Sequence, residues 1–571
     1  MSLHNIPGWK RVTSQWPIFC AWIILIGWSS LLQNPIYRWF VIFLHAYLIA
    51  VIASTNKVIK GVLYSIIFLL FFIDEFLILG FGMTINPTTL TLFMETDQRE
   101  SKEFLSGVFS MSSFWVTSFL TIGFAAIVLI MERHRTKIFE RLSRKKWLQY
   151  FSVLMLVIGL LGSWGYVELF KVKSPDDLWF KWQQYRRNPQ DRMTKVIASI
   201  YSIHLANKAL EDNLELMSQV DGVSIKDGYK GVNVIFVIGE SYIRQHSPLY
   251  GYRLNTTPYM LQESKDGRLF AFDNVTTPYS FTTTSVRNMI SCNAFGAGEK
   301  WSDKPPFTVV FKKAGYNVHM YDNQRQSIKD AVYIFTLNNY LFDKRVVSMC
   351  YNSINERTFK YDSDIVDYYK QCESGKNEQN RLVVFHLMGQ HFTYRERYPD
   401  EFNHFNGDSI YWRNDNWLTK EKRQVIAEYD NAVMYNDYVI HQIMDLYNDE
   451  KTVLVYLPDH GEEAFDYRDF SGRSENMDNI AKMLEYQYSI PMVVWCSDAY
   501  KEAYPDNIEK IQSAIHKPMM NYDVCHLLFH LGGVSSQYYK SQHDVISDDY
   551  KCLPRIMNDK YDYDKYVVKG K

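Results

Sequence analysis

The first third of the chain is divided into five long apolar stretches, at residues 16–32, 37–54, 61–82, 114–131 and 147–166. A helix needs roughly 20 apolar residues to cross a hydrocarbon core of about 30 Å, and each stretch is near that length. Core helices of a soluble protein do not come in such a series with short polar breaks between them. The pattern predicts a five-helix transmembrane domain over residues 1–166. The first stretch lacks a small-residue cleavage site, so it is expected to stay as an anchor. Lys10, Arg11, Lys57, Lys60, Arg133, Arg135, Lys137, Arg141, Arg144, Lys145 and Lys146 fall on one side of these spans. Only Arg38, Arg99 and Lys102 fall on the other. This bias predicts a cytoplasmic N-terminus and places everything after residue 166 outside the cytoplasm.

Two carboxylates, Asp74 and Glu75, stand inside the third stretch. Ionisable groups at that depth are costly and need partners. A cationic lipid headgroup and a neighbouring helix are both expected partners. The loop that follows carries Glu95, Asp97, Glu100 and Glu103 beside the membrane. Residues 167–230 mix Trp179, Phe180, Trp182 and Tyr185 with Lys181, Arg186 and Arg187. Aromatics beside cations favour the headgroup zone, so this segment is expected to form interfacial amphipathic helices and a linker. The net charge of -1 gives no case for a nucleic-acid partner. Apart from Cys20 in the first span, the cysteines (Cys292, Cys350, Cys372, Cys496, Cys525 and Cys552) all fall in the exported part. Their even number predicts disulfides, with Cys350–Cys372 suggested by proximity.

Residues 231–571 read differently. Apolar runs of strand length at 232–239, 317–321, 381–388, 452–458 and 490–496 alternate with helical segments such as "PPFTVVFKKAG". That alternation predicts an α/β domain with a mostly parallel sheet covered by helices. Sites in such folds gather at the carboxyl ends of strands. Those ends carry Gly239-Glu240-Ser241, Asp322-Asn323-Gln324, Gly389-Gln390-His391 and Asp459-His460-Gly461. Glu240, Asp459 and His460 offer oxygen and nitrogen ligands suited to Zn2+, with Mn2+ or Mg2+ as alternatives, and would leave a coordination position open. A threonine hydroxyl is a poor nucleophile at neutral pH, but a dication can lower its proton affinity. The run "FTTTSV" supplies threonines at an expected helix start, where a hydroxyl also serves as an N-cap and where phosphate binds.

These motifs resemble a known family. "IGESYIRQHSPLYGYRLNTTP", "DNVTTPYSFTTTSV", "YDNQ", "HLMGQH", "PDHGEE" and "ETDQRES" are similar to stretches of the bacterial phosphoethanolamine transferases, which are membrane-anchored members of the alkaline phosphatase and sulfatase superfamily. The resemblance implies a periplasmic catalytic domain on a multi-pass inner-membrane anchor. It also implies transfer of phosphoethanolamine from phosphatidylethanolamine to a lipopolysaccharide acceptor, lipid A or a core sugar, through a covalent intermediate. Carried over residue by residue, it makes Thr282 the nucleophile, with Thr283 and Thr284 as alternatives, and Glu240, Thr282, Asp459 and His460 the metal site. His391 is implied at the substrate and in catalysis, and Glu100 and Asn323 in substrate binding. A monomer is expected. The position where several members carry a further histidine is Gly472 here, within "FSGRSEN", which leaves the number of metals open. The C/S-x-P-x-R pattern of formylglycine sulfatases is absent. A phosphoglycerol transferase of the same superfamily is the alternative enzyme, and a non-catalytic membrane sensor the alternative outside enzymes.

Overall fold

The computed structural model describes residues 56–81, 85, 89–90, 109, 112–134, 171–173, 178, 192–294, 298–324, 340–372, 379–473, 478–558 and 560–568. These fall into two compact units, one ending at Ala209 and the other beginning at Leu210.

In the first unit, helix α1 (Lys57–Phe81) and helix α2 (Ser112–Arg133) pack together through edge-on rings. Phe71 meets Phe124 at 5.4 Å between centroids, and Phe72 meets Phe114 at 5.7 Å. Lys60 near the start of α1 forms an ion pair with Glu132 at the end of α2. Both helices are long and apolar enough to cross a membrane. They coincide with the expected spans 61–82 and 114–131, α1 starting four residues earlier (61 − 57 = 4). The expected spans 16–32, 37–54 and 147–166 lie outside the described residues.

Asp74 and Glu75 are buried and meet cations of the chain itself. Arg192 Nε lies 3.1 Å from Asp74 Oδ2, and Arg192 Nη2 donates to Glu75 Oε1 at 2.6 Å. Lys195 Nζ is 3.4 Å from Asp74 Oδ2. Of the two partners expected from the sequence, a neighbouring helix is the one observed. The cations sit on helix α3 (Arg192–Ser218), and pairing removes the main cost of placing carboxylates at that depth.

The last third of the segment 167–230 makes contacts with the second unit's own residues. Asn213 donates to the carbonyls of Ser302 and Lys304 at 3.0 and 2.9 Å and accepts from Tyr340 Oη at 2.6 Å. Met217 and Val220 lie in the core of the second unit, and Ser224–Ile225 pairs with Val534–Ser535. Buried apolar side chains make this stretch part of the fold.

The second unit is built on strands β1 (Asn233–Gly239), β2 (Leu269–Thr276), β3 (Asn317–Asp322), β4 (Ser353–Ile354), β5 (Arg381–His386), β6 (Thr452–Pro458), β7 (Ser489–Cys496) and β8 (Met519–Met520). They form one eight-stranded sheet in the order β8-β2-β7-β6-β1-β5-β3-β4. The central strands β6, β1, β5 and β3 are parallel. β7 runs antiparallel to both β6 and β2, so the sheet is mixed. The sequence reading placed a strand at 490–496 without resolving its direction and missed β2, whose alternation breaks at Asp273-Asn274.

Alternate residues of β1 enter two cores. Val234, Phe236 and Ile238 face one side with helix α5 (Phe307–Ala314) and helix α7 (Val524–Leu531). Ile235 and Val237 face the other with helix α6 (Lys420–Asp445). Every residue of β1 is buried, which accounts for its unbroken apolar run. Each such side chain contributes about 1.5–3 kcal/mol on burial.

The expected disulfides do not form. All six cysteines after residue 166 are free thiols, and the suggested pair divides between a buried Cys350 and an exposed Cys372. Burial pushes the Cys350 thiol up to about 12.

Candidate active site

Strand pairing sets the site. In β1 and β6, Gly239 lies opposite Pro458, so Glu240 and Asp459 follow on neighbouring strands. Asp459 N–H donates to Gly239 O at 3.0 Å, and Tyr242 N–H returns a bond to His460 O at 2.9 Å. Ser241 sits between them at φ 53°, a left-handed conformation unusual for a residue with a Cβ. The bend is held from several sides. Ser241 N–H donates to Asp459 Oδ1 at 3.2 Å, and its hydroxyl donates to Glu240 Oε1 at 2.6 Å.

Ligand atoms of Glu240, Asp459 and His460 lie within 4.8 Å of one another, and all three residues are buried. His460 Nε2 is 3.3 Å from Glu240 Oε1 and 3.1 Å from Asp459 Oδ2. His460 Nδ1 faces Gly461 O at 2.9 Å, which directs the Nε2 lone pair into the cluster. Asp459 Oδ2 is buried without a hydrogen-bond partner. An orphaned carboxylate oxygen, a second carboxylate and an imidazole lone pair form a donor set that fits a divalent cation. The charges point the same way. Burial alone would raise the Glu240 carboxyl, but His460, His391 and the Ser241 hydroxyl hold it at about 2. Burial and the neighbouring Glu240 push Asp459 well above the carboxylate range. Burial and the Arg473 guanidinium hold His460 down at about 3, so it is neutral. Glu462, just beyond, is raised to about 7, first by burial.

Thr282 opens helix α4 (Thr282–Ile290). Its Oγ1 donates to Glu240 Oε2 at 3.0 Å and lies 3.3 Å from His460 Nε2. Thr284 is directed elsewhere, donating to Phe281 O at 3.0 Å. The expected capping role is not observed. Phe281 is the N-cap residue, no side chain caps the helix, and Thr282 is its first residue. The hydroxyl serves the cluster, and the first-turn N–H groups face outward along the helix axis.

The helix is fastened to the end of β6 by a buried knot. Ser285 Oγ donates to Asp459 O at 2.6 Å and lies 3.1 Å from Thr277 Oγ1. Asn521 Nδ2 donates to Ser285 Oγ, Thr277 Oγ1 and Asp459 O at 2.9, 3.1 and 3.2 Å. Sequence reasoning missed Asn521 and Ser285. The only available signal was Ser285 standing one turn after Thr282.

His391 follows β5 and is half-buried, and it is among the groups that act on Glu240 and His460. Asn323 Nδ2 donates to Asp362 Oδ1 at 2.8 Å and its Oδ1 accepts from Phe359 N–H at 2.7 Å, so both ends of the amide have partners within the fold. The next residue reaches the site instead: Gln324 Nε2 donates to Glu240 Oε2 at 3.0 Å and to Leu387 O at 2.8 Å. Glu100 lies outside the described residues.

A second polar group braces the site from behind. His246 Nδ1 lies 2.6 Å from Asp430 Oδ1, and its Nε2 lies 2.8 Å from Asp466 Oδ1. Tyr252 Oη donates to Asp430 Oδ2 at 2.8 Å. Burial would lower the imidazole, but the two carboxylates raise it to about 9, so it is charged at neutral pH. Asp466 belongs to the turn between Glu463–Ala464 and Ser471–Gly472, which pair as a small hairpin. Arg473 follows that hairpin into the cluster.

Comparison with known proteins bears on the fold and the family. Phosphoethanolamine transferase EptC of Escherichia coli O18:K1:H7 is 24% identical over 487 residues, which is 84% of this chain and 81% of the relative. The crystal structure of the C-terminal periplasmic domain of EptC from Escherichia coli in complex with Zn superposes with a TM-score of 0.52 at 23% identity, covering 61% of this chain and 98% of that one. The integral membrane protein lipooligosaccharide phosphoethanolamine transferase A of Neisseria meningitidis covers 94% of this chain and 97% of its own, with a TM-score of 0.50 at 16% identity. The sulfatase family model matches residues 232–534, more than half of the sequence, and the chain belongs to the sulfatase family.

Proposed function

We propose that this chain is a phosphoethanolamine transferase of the bacterial inner membrane, with its catalytic domain in the periplasm. In this reading it takes phosphoethanolamine from phosphatidylethanolamine and passes it to a lipopolysaccharide acceptor. The observation that carries the proposal is the Thr282 hydroxyl at a helix start, 3.0 Å from Glu240 Oε2 and 3.3 Å from His460 Nε2. The relatives named phosphoethanolamine transferases support the transferred group. A Kdo(2)-lipid A phosphoethanolamine transferase of Salmonella typhimurium among them supports a lipopolysaccharide acceptor. The membrane placement rests on α1 and α2 together with the periplasmic and integral-membrane relatives. We read the protein as a monomer with five spans.

Glu240, Asp459 and His460 would hold a divalent cation, for which zinc is our choice. When bound, the cation supplies positive charge that lowers the proton affinity of a nearby hydroxyl and neutralises phosphate oxygens. The chain does the rest. Glu240 Oε2 orients the Thr282 hydroxyl by accepting its proton in a hydrogen bond. The first-turn N–H groups of α4 and its dipole favour the phosphate. Thr282 Oγ1 forms a bond to phosphorus as the bond to the glyceryl oxygen breaks, and the proton that Oγ1 gives up balances the one that the glyceryl oxygen gains. We assign to His391 the passage of that proton to the departing diacylglycerol. An acceptor oxygen then attacks the same phosphorus, gives up its proton, and returns Thr282 to its free hydroxyl. Two displacements at one phosphorus predict ping-pong kinetics.

The test is mass analysis of the active-site peptide after incubation of the metal-loaded protein with phosphatidylethanolamine. A phosphoethanolamine adduct on Thr282, absent in Thr282→Ala, is expected, with release of diacylglycerol. An adduct that persists in Thr282→Ala refutes the assignment of the nucleophile. Diacylglycerol release from phosphatidylglycerol alone would establish the phosphoglycerol alternative.

A further inference from the structure

The cluster has a cation that the chain supplies itself. Arg473 Nη1 lies 2.6 Å from His460 Nε2, 3.2 Å from His460 Nδ1, 3.3 Å from Ser241 Oγ and 3.7 Å from Glu240 Oε1. A donor in the ring plane at one imidazole nitrogen is far from the other. Closeness to both puts the guanidinium over the ring face, and the in-plane Nε2 lone pair stays directed at Glu240 and Asp459. The Arg473 carbon Cζ also lies 5.9 Å from the centre of the Phe281 ring, the residue immediately before Thr282. Arg473 therefore stands beside both the ligand set and the residue that precedes α4. Its side chain is 23% exposed, so it keeps a face in contact with solvent. The residue before it, Gly472, brings no ligand; a Cβ there would point at the Phe470 ring and at Glu462 Oε1, 3.6 and 3.9 Å away.

We infer that Arg473 is the second positive charge of this centre: the site holds a single divalent ion, and the guanidinium binds the non-bridging oxygens of the phosphoryl group being transferred. A planar fork of N–H donors matches two phosphate oxygens, which a point charge does not. This role deepens the transferase reading and rests on it. It also explains why a strongly cationic side chain stands against an imidazole among carboxylates. Glu240 and the Ser241 hydroxyl hold one Nη in place while the remaining N–H groups stay available.

The experiment uses the full chain in detergent micelles, loaded with zinc and dialysed to remove weakly held metal. Zinc content is measured by elemental analysis, and inorganic phosphate binding by titration calorimetry. A single zinc per chain is expected in the wild type, in R473A and in R473K. Phosphate binding is expected to weaken about tenfold or more in R473A and less in R473K, which keeps the charge but not the fork. R473K also serves if R473A fails to fold. Two tightly held zinc ions in the wild type would overturn the inference. So would unchanged phosphate affinity in a zinc-loaded R473A, or loss of zinc from both variants. Adduct formation on Thr282 is followed separately with phosphatidylethanolamine. Its absence alongside Arg473-dependent phosphate binding would sink the donor reading and leave the role of Arg473 standing.

Discussion

Replacing His246 with glutamine (H246Q) should flatten the pH dependence of stability. His246 is 2% exposed and lies between Asp430 and Asp466. Against the burial that lowers it, those carboxylates raise its imidazole from 6.5 to about 9. The folded state therefore binds a proton that the unfolded chain gives up more readily. The resulting stability is fully present below pH 6.5 and is lost as pH rises through about 9. A rise of that size is worth ~3.4 kcal/mol when fully expressed. Of this, ~2.5 kcal/mol is present at about pH 7 and gone by about pH 10. A unit of this length unfolds with an entropy of roughly 0.7 kcal/mol per kelvin, so the loss corresponds to about 3–4 °C in Tm. Scanning fluorimetry at one scan rate, on the full chain in detergent, should find that the wild type loses about 3–4 °C more than H246Q between those two pH values. Lysines and tyrosines titrate in both proteins and cancel in the difference. Parallel Tm curves for the two proteins would refute the claim that a charged imidazole is locked between these carboxylates.

Other perturbations have definite outcomes. N521A removes the amide shared by Ser285, Thr277 and Asp459, and should cost about 1–3 kcal/mol and weaken zinc affinity, read by thermal shift and metal titration. G461A would place a Cβ 2.1 Å from Tyr486 O, and the backbone cannot yield without breaking the Gly461 N–H bond to Gln487 O; a loss of about 3 kcal/mol or more is expected by denaturant unfolding. Chelation should abolish transfer while far-UV circular dichroism stays unchanged, because strand pairing rather than metal holds the ligands in register. Unfolding on chelation would contradict that.

Part of this architecture was legible in the sequence for a simple reason. Strands buried on both faces read as unbroken apolar runs, and a polar cluster directly after such a run marks a carboxyl end. Glu240 and Asp459-His460 stand in such clusters, and the resemblance points to Thr282. Side-chain direction at a strand end was not legible. Asn323 and Gln324 are adjacent, yet one donates to the buried Asp362 and the other to Glu240. The direction of β7 was hidden because a central strand has the same apolar pattern whether parallel or antiparallel. Asn521 was invisible because its partners lie far away in the chain, where no local period can reveal them. The cysteines misled because an even number of them carries no information about depth, and Cys350 lies in the core.

The adjacency of β1 and β6 has a consequence for how such a protein can diversify. Glu240 and Asp459 are spaced by the hydrogen bonds of a parallel pair, so a one-residue slip would turn every side chain of a doubly buried strand to the wrong core. That makes the phosphorus-handling end of the molecule rigid under mutation. The segments around it are not constrained in this way. Phe392 is exposed beside His391, and Phe281 is exposed beside Thr282. Substitutions there leave both cores untouched, so changes that alter which hydroxyl or phosphate enters as acceptor have room to accumulate at the rim.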